Sequence, residues 1–229
     1  MVVDGEGELA IAVDDIRWRL AESLPREPLT TLAESDEIVK ALLQRFPGHR
    51  PPLVTDPFES LVTSVTAQQV NLTWALTTRR RLVERYGRRH ELDGVAVYEF
   101  PAADAIAAAD PADIRAMQFT TRKAEYIVGI ARAAADGWLA GITEMGDEEA
   151  VHHLVQMRGV GRWTAEWLLA RCLGRANVIP AGDLGVRKAV SFSYRTSDHI
   201  LDEGVVRDIA VPWGDATNLT VHLLLETLI

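Results

Sequence analysis

From Thr30 to the C-terminus the apolar residues recur three and four positions apart, and proline or glycine cuts the runs at short intervals, a pattern that favours helices over strands. Ser35 and Asp36 offer an N-cap ahead of Ile38, Val39, Leu42 and Leu43, and Pro47 and Gly48 stop that segment. After Pro51 and Pro52, Asp56 can cap a helix with Pro57 in its first position and Phe58, Leu61, Val62 and Val65 along one face, ending near Gln69. The same logic predicts helices over residues 72–86, 104–109, 111–117 and 122–135, with Gly87 and Gly137 as stops. Strand-like alternation is confined to residues 10–13 and 177–179. The expected fold is therefore mostly α.

With 229 residues, 48% of them apolar, the chain can fill one large core or two smaller ones. A single cysteine, Cys172, excludes an intrachain disulfide and any four-thiolate zinc or iron-sulfur site supplied by this chain, and suits a small core position. The acidic start MVVDGEGELAIAVDD has no basic, apolar leader pattern, and no stretch approaches the roughly 20 apolar residues of a membrane span, so an intracellular, cytoplasmic protein is expected. The formal charge of −9 argues against indiscriminate nucleic-acid binding, which lysine and arginine drive, but leaves room for a local basic face. Arg79, Arg80, Arg81, Arg85, Arg88 and Arg89 form one basic stretch, equally consistent with a solvated helix face; Arg158, Arg162, Arg171 and Arg175 form another.

Around the second stretch, a helix over about residues 147–156 meets Met157-Arg158-Gly159-Val160-Gly161, and another starts near Arg162 with Ala165, Leu168, Leu169 and Cys172 on its buried face. Gly159 and Gly161 permit the tight turn and the approach of a phosphate, and the N–H groups that open the second helix favour an anion. On spacing alone such a turn is common to many helical proteins.

The run Gly159-Val160-Gly161-Arg162-Trp163-Thr164-Ala165, followed by Asp183 within Pro180-Ala181-Gly182-Asp183-Leu184-Gly185-Val186-Arg187, resembles the signature of the helix-hairpin-helix (HhH-GPD) DNA glycosylase superfamily. It is most similar to the DNA-3-methyladenine glycosylase II family. Asp56 to Leu61, Ala67-Gln68-Gln69-Val70 and Arg122 to Ile127 extend the resemblance, which covers about residues 30–225. It implies two interleaved helical subdomains, residues 30–60 with 179–229 and residues 61–178, with a cleft between them that holds Asp183 and a short extension over residues 1–29. It also implies a monomer that binds double-stranded DNA with damaged bases and no membrane.

The resemblance further implies that Asp183 is the catalytic carboxylate, stabilising the positive charge that builds on deoxyribose as the glycosidic bond breaks. An aspartate there also suits an N-cap for the following helix, and the two roles are compatible. Where bifunctional members carry a Schiff-base lysine, this chain has Trp163, which implies base release without strand cleavage; a covalent adduct at Lys123 or Lys188 would contradict it. A flipped base would stack on Trp163 and Trp167, one helical turn apart, and a cationic alkylpurine would gain a cation–π contact. Two core tryptophans are the alternative.

DNA contacts are implied at Gln69, Arg158, Gly159, Gly161, Arg162 and Thr164, with Gln69 in the place of the wedge that fills the gap left by the flipped nucleotide; a buried loop glutamine is the alternative. Pro212-Trp213-Gly214-Asp215 departs from the family's Pro-aromatic-Arg-Ser, and His222 stands near a pocket aromatic, either in the pocket or as an ordinary helix histidine. The carbonyls of Val155, Met157 and Val160 correspond to a site for a monovalent cation, Na+ or K+; no other cofactor is expected. Substrates of the 3-methyladenine and 7-methylguanine type are implied, with a glycosylase for deaminated bases (uracil, hypoxanthine) or a non-catalytic DNA-binding module as the alternatives.

Overall fold

The computed structural model describes residues 6–194 and 199–228; the first five residues of the expected 1–29 extension lie outside them. In chain order the helices are α1 (Glu6–Arg19), α2 (Glu27–Leu32), α3 (Glu37–Arg45), α4 (Pro57–Ala67), α5 (Leu72–Tyr86), α6 (Ala103–Ala107), α7 (Pro111–Ala116), α8 (Thr121–Ala135), α9 (Asp147–Leu154), α10 (Arg162–Arg171), α11 (Leu184–Tyr194), α12 (Glu203–Ala210) and α13 (Thr217–Leu225). No helix among the described residues is long and apolar enough to cross a membrane.

The chain divides into two compact units, one made of the residues up to Thr55 with those from Glu166 onward, the other of Asp56–Ala165. The expected boundaries, after residues 60 and 178, therefore shift. Asp56 caps α4 by accepting the Phe58 N–H at 2.9 Å, so the start of α4 goes with the remainder of that helix. The last turn of α10 belongs with α13, because Asn218 Nδ2 donates to the carbonyls of Ala170 and Arg175, each at 2.9 Å.

In the Asp56–Ala165 unit, α8 packs against α4, α6 and α7. Its Ala124, Ile127, Val128, Ile130 and Ala131 are buried at helical spacing and form the centre of that core with Leu61, Val62, Ile106 and Ile114. A hairpin of β1 (Arg89–Leu92) and β2 (Val95–Tyr98) interrupts the helices, with Leu92 paired to Val95. It was not expected, because nearly every position is exposed and so no apolar alternation marks it. The signal present is Asp93-Gly94, whose φ values of 50° and 78° make the tight turn that strand twist favours. The two segments with strand-like alternation are otherwise: 10–13 falls in α1 and 177–179 is irregular.

The other unit is built around α13, whose residues from Thr217 to Leu224 are all buried. Ala21, Leu24, Leu29, Val39, Val186, Val190 and Val206 pack in the same core. The later part of the 1–29 segment is thus core rather than appendage. Trp18 donates its indole N–H to the Val54 carbonyl at 3.2 Å, and Arg50 donates to the carbonyls of Ala21 and Leu24. Cys172 is buried, as its residue type suggests. Asp36 accepts from the N–H groups of Ile38 and Val39 to cap α3, and takes the Tyr194 hydroxyl at 2.7 Å on its other oxygen.

Candidate functional site

The hairpin turn lies in the Asp56–Ala165 unit. After α9 the Met157 N–H donates to the Leu154 carbonyl at 3.1 Å and the Val160 N–H to the Met157 carbonyl at 3.0 Å. Gly159 has φ +93°, and a Cβ there would sit 2.4 Å from the Tyr126 ring, so conformation and packing both demand glycine. Gly161 differs: its φ is not left-handed and a Cβ would meet nothing within 4 Å. That space lies beside the first turn of α10, and the N-terminal end of a helix favours an anion.

Gln68, at the C-cap of α4, braces the turn by donating from Nε2 to the Gly159 carbonyl at 3.0 Å and the Thr164 hydroxyl at 3.2 Å. Thr164 is fully buried, so its side chain is a tie within the hairpin and not the surface contact expected of it. Its main-chain N–H, in the first turn of α10, is the group it can present. Gln69 is exposed with φ +53°, which excludes the buried-loop alternative and leaves a polar side chain on a strained turn.

The two candidate arginines have local acidic partners. Arg158 pairs with Glu125 at 3.4 Å and lies over the Tyr126 ring, and Arg162 pairs with Glu148 at 2.7 Å. Both pairs are exposed, and such pairs are weak enough in water for a phosphate to displace them. Trp163 is half-buried, not a core residue. Lys123 donates to the Thr66 carbonyl at 2.9 Å at the end of α4, and burial lowers its pKa. The Met157 carbonyl, which accepts from the Val160 N–H, keeps a second lone pair.

The first arginine stretch is engaged locally: Arg80 with Glu84 at 2.6 Å, Arg88 with Glu99 at 2.8 Å, Arg89 with Glu91 at 3.3 Å, and Arg81 with Gln118 and the Met117 carbonyl.

Asp183 lies in the other unit, at the start of α11. Its Oδ1 accepts the Val186 N–H at 3.0 Å, the N-cap arrangement, and its Oδ2 accepts the Trp167 indole N–H at 3.3 Å. Gly185 makes room for the carboxylate, since a Cβ there would stand 2.9 Å from Oδ1. The Arg171 guanidinium covers the Trp167 ring at 4.5 Å and donates from Nε to His222 Nε2 at 3.1 Å. His222 Nδ1 in turn bonds the Asn218 carbonyl at 2.8 Å, which assigns the neutral imidazole with its proton on Nδ1.

His222 meets the Trp167 ring edge-on at 5.7 Å. Burial, followed by the Arg171 charge, pushes its pKa down to about 3. Burial also lowers the Arg171 pKa, an effect that the Asp183 charge opposes. His222 is therefore a buried, neutral partner of Arg171, not a ring left free in a pocket. Trp167 is half-buried.

Gln68 and Gly185 carry this geometry without having been singled out, and Arg171 was read only as one of a basic stretch. Gln68 stood beside Gln69, Gly185 within the aspartate loop, and Arg171 four residues after Trp167, a helical spacing that brings a cation over an indole.

A model of the HhH-GPD superfamily base excision DNA repair proteins matches residues 62–214. A DNA-3-methyladenine glycosylase of Bacillus subtilis (strain 168) is 32% identical over 190 residues, 82% of this chain and 62% of that protein. DNA-3-methyladenine glycosylase 1 of Schizosaccharomyces pombe is 30% identical over 172 residues, 72% of this chain and 71% of that one. Among solved structures, the 3-methyladenine DNA-glycosylase from Archaeoglobus fulgidus superposes with a TM-score of 0.85 at 33% identity, covering 99% of this chain and 78% of that one. The chain spans less than two thirds of the length of the Bacillus subtilis protein.

Proposed function

Because the chain belongs to the HhH-GPD superfamily of base excision DNA repair proteins, we propose that it is a monofunctional DNA glycosylase that releases alkylated purines from double-stranded DNA. The observation that carries this is Asp183, a carboxylate whose two oxygens are held by the Val186 N–H and the Trp167 indole at the start of α11. The names of its relatives from Bacillus subtilis and Schizosaccharomyces pombe support 3-methyladenine as a substrate; 7-methylguanine joins it in this reading because alkylation at N7 also makes the base cationic.

In the proposed reaction the bond from C1′ to the base nitrogen breaks and its electron pair leaves with the base. Alkylation at N3 or N7 has made that base a cation, so it departs neutral without needing a proton. Asp183 stabilises the positive charge left on the sugar, and a water oxygen then bonds C1′ and sheds its proton. The hairpin holds the duplex through phosphates at the start of α10 and at Arg158 and Arg162, which gives salt-sensitive binding with little sequence preference. Trp163 offers an indole face to the flipped base and supplies no amine, so the strand stays whole. Gln69 enters the gap. A monovalent cation held by the carbonyls of Val155, Met157 and Val160 would add positive charge for a phosphate. The protein would act as a monomer inside the cell.

The test is incubation of the protein with methylated duplex DNA, with free bases measured by chromatography and strands examined on a gel. Free methylpurines, uncut abasic strands and no borohydride-trapped adduct are expected. Release of uracil or hypoxanthine alone would overturn the substrate class; cut strands or a trapped adduct would overturn the monofunctional reading.

A further inference from the structure

Building on the glycosylase reading of Asp183, we infer that Trp167 is a positioning residue for this carboxylate: its indole N–H aims Oδ2, while Arg171 and His222 hold the ring. Oδ1 is anchored by the Val186 N–H at 3.0 Å. The Trp167 indole N–H binds Oδ2 at 3.3 Å, so donors from α10 and α11 hold the two ends of the carboxylate plane.

An indole has one polar atom, so the direction of its N–H depends on whatever packs the ring. Arg171, one helical turn along α10, covers a face at 4.5 Å, and His222 meets the ring at 70° and 5.7 Å. The bond from Arg171 Nε to His222 Nε2 and that from His222 Nδ1 to the Asn218 carbonyl tie both to α13. This chain of contacts runs from a buried helix to the carboxylate through side chains alone. A ring that already carries a cation on one face is also a poorer seat for a cationic alkylpurine than a bare indole, so its N–H is the larger contribution. Arg171 is also a positive charge acting on Asp183, from α10.

The experiment uses wild type, Trp167→Phe and Arg171→Gln. Phenylalanine keeps an aromatic face and loses the N–H. Single-turnover base release from methylated duplex at saturating protein is measured alongside the Kd for duplex carrying an abasic-site analogue. Trp167→Phe should lower the maximal rate by about 10- to 100-fold, the range for a hydrogen bond to a charged group expressed in the transition state, with Kd within about twofold. Arg171→Gln should lower the rate by a smaller factor of about three to ten, since a loosened indole keeps its N–H; it also reports if the phenylalanine variant fails to fold. The Trp167 indole N–H resonance, assigned by its loss in Trp167→Phe, should move in Asp183→Asn.

A Trp167→Phe variant that keeps its rate, or that loses only affinity, would overturn the inference, as would an indole resonance indifferent to Asp183→Asn. Absence of base release by wild type would sink the glycosylase reading instead, and the indole resonance would still decide whether Trp167 holds Asp183.

Discussion

In the Asp56–Ala165 unit the turn at Gly159 is fixed at the main chain: a left-handed φ, with the Gln68 side chain bonded to its carbonyl and the Tyr126 ring packed where a Cβ would be. In the other unit Asp183 accepts the Val186 main-chain N–H and also the Trp167 indole N–H, and the side chains of Arg171 and His222 hold that indole. The first arrangement suits a partner recognised by its repeating phosphates, because backbone N–H groups carry no sequence preference. The second suits chemistry at one atom, where the direction of a carboxylate decides the rate. Damage should accordingly appear as lost fold or binding in the first region and as lost rate in the second.

The largest predicted effect breaks the main-chain arrangement. Gly159→Ala should lower unfolding stability by about 3 kcal/mol in urea denaturation, combining left-handed strain with overpacking against Tyr126. Gly161→Ala, whose Cβ would enter open space, should leave stability unchanged and weaken DNA binding. Equal stability losses at both positions would contradict the distinction drawn between them.

Next comes the buried histidine. Its folded pKa of about 3 lies below its unfolded value of 6.5, so its contribution is complete above the unfolded value. As pH falls the unfolded chain takes a proton that the folded ring refuses, and stability drops. From about pH 7 to about pH 5 the loss from this residue should be about 2 kcal/mol. His222→Gln, which keeps an acceptor for Arg171, should flatten that part of the pH profile; an unchanged slope would mean that His222 is not held neutral.

A smaller effect is expected at Gly185. Gly185→Ala would press a methyl group toward Oδ1, which lies 2.9 Å from the Cβ position, and should slow base release about tenfold with DNA affinity retained. The smallest is Arg162→Ala, which should reduce the slope of log affinity against log salt by about 1 without altering the saturated rate. A fall in that rate would place Arg162 in the chemistry.

Sequence patterns located most helices to within a few residues because their ends are written in single side chains. Asp36 and Asp56 cap where expected, and the helix predicted over residues 72–86 is α5, Leu72–Tyr86. The exposed hairpin from Arg89 to Tyr98 escaped because a strand pair with both faces in water has no apolar alternation, and only Asp93-Gly94 betrays it. At the site, the aspartate and the glycine turn were legible as residue types in a fixed order. The brace by Gln68, the burial of Thr164 and the contacts of Arg171 with Trp167 and His222 were not, because they depend on what the fold brings beside each residue. The 1–29 segment was underrated for the same reason: Trp18, Ala21 and Leu24 become core only against Leu53, Val54 and Arg50.

The central claim is that Asp183 acts in bond cleavage and not in DNA binding. It is tested most directly by comparing wild type with Asp183→Asn for single-turnover release of methylpurines and for affinity toward duplex with an abasic-site analogue. An asparagine oxygen can still accept the Val186 N–H, so the cap and the fold should persist. The rate should then fall on the order of 10²- to 10³-fold or more with affinity largely intact. Base release by Asp183→Asn at the wild-type rate would contradict the account.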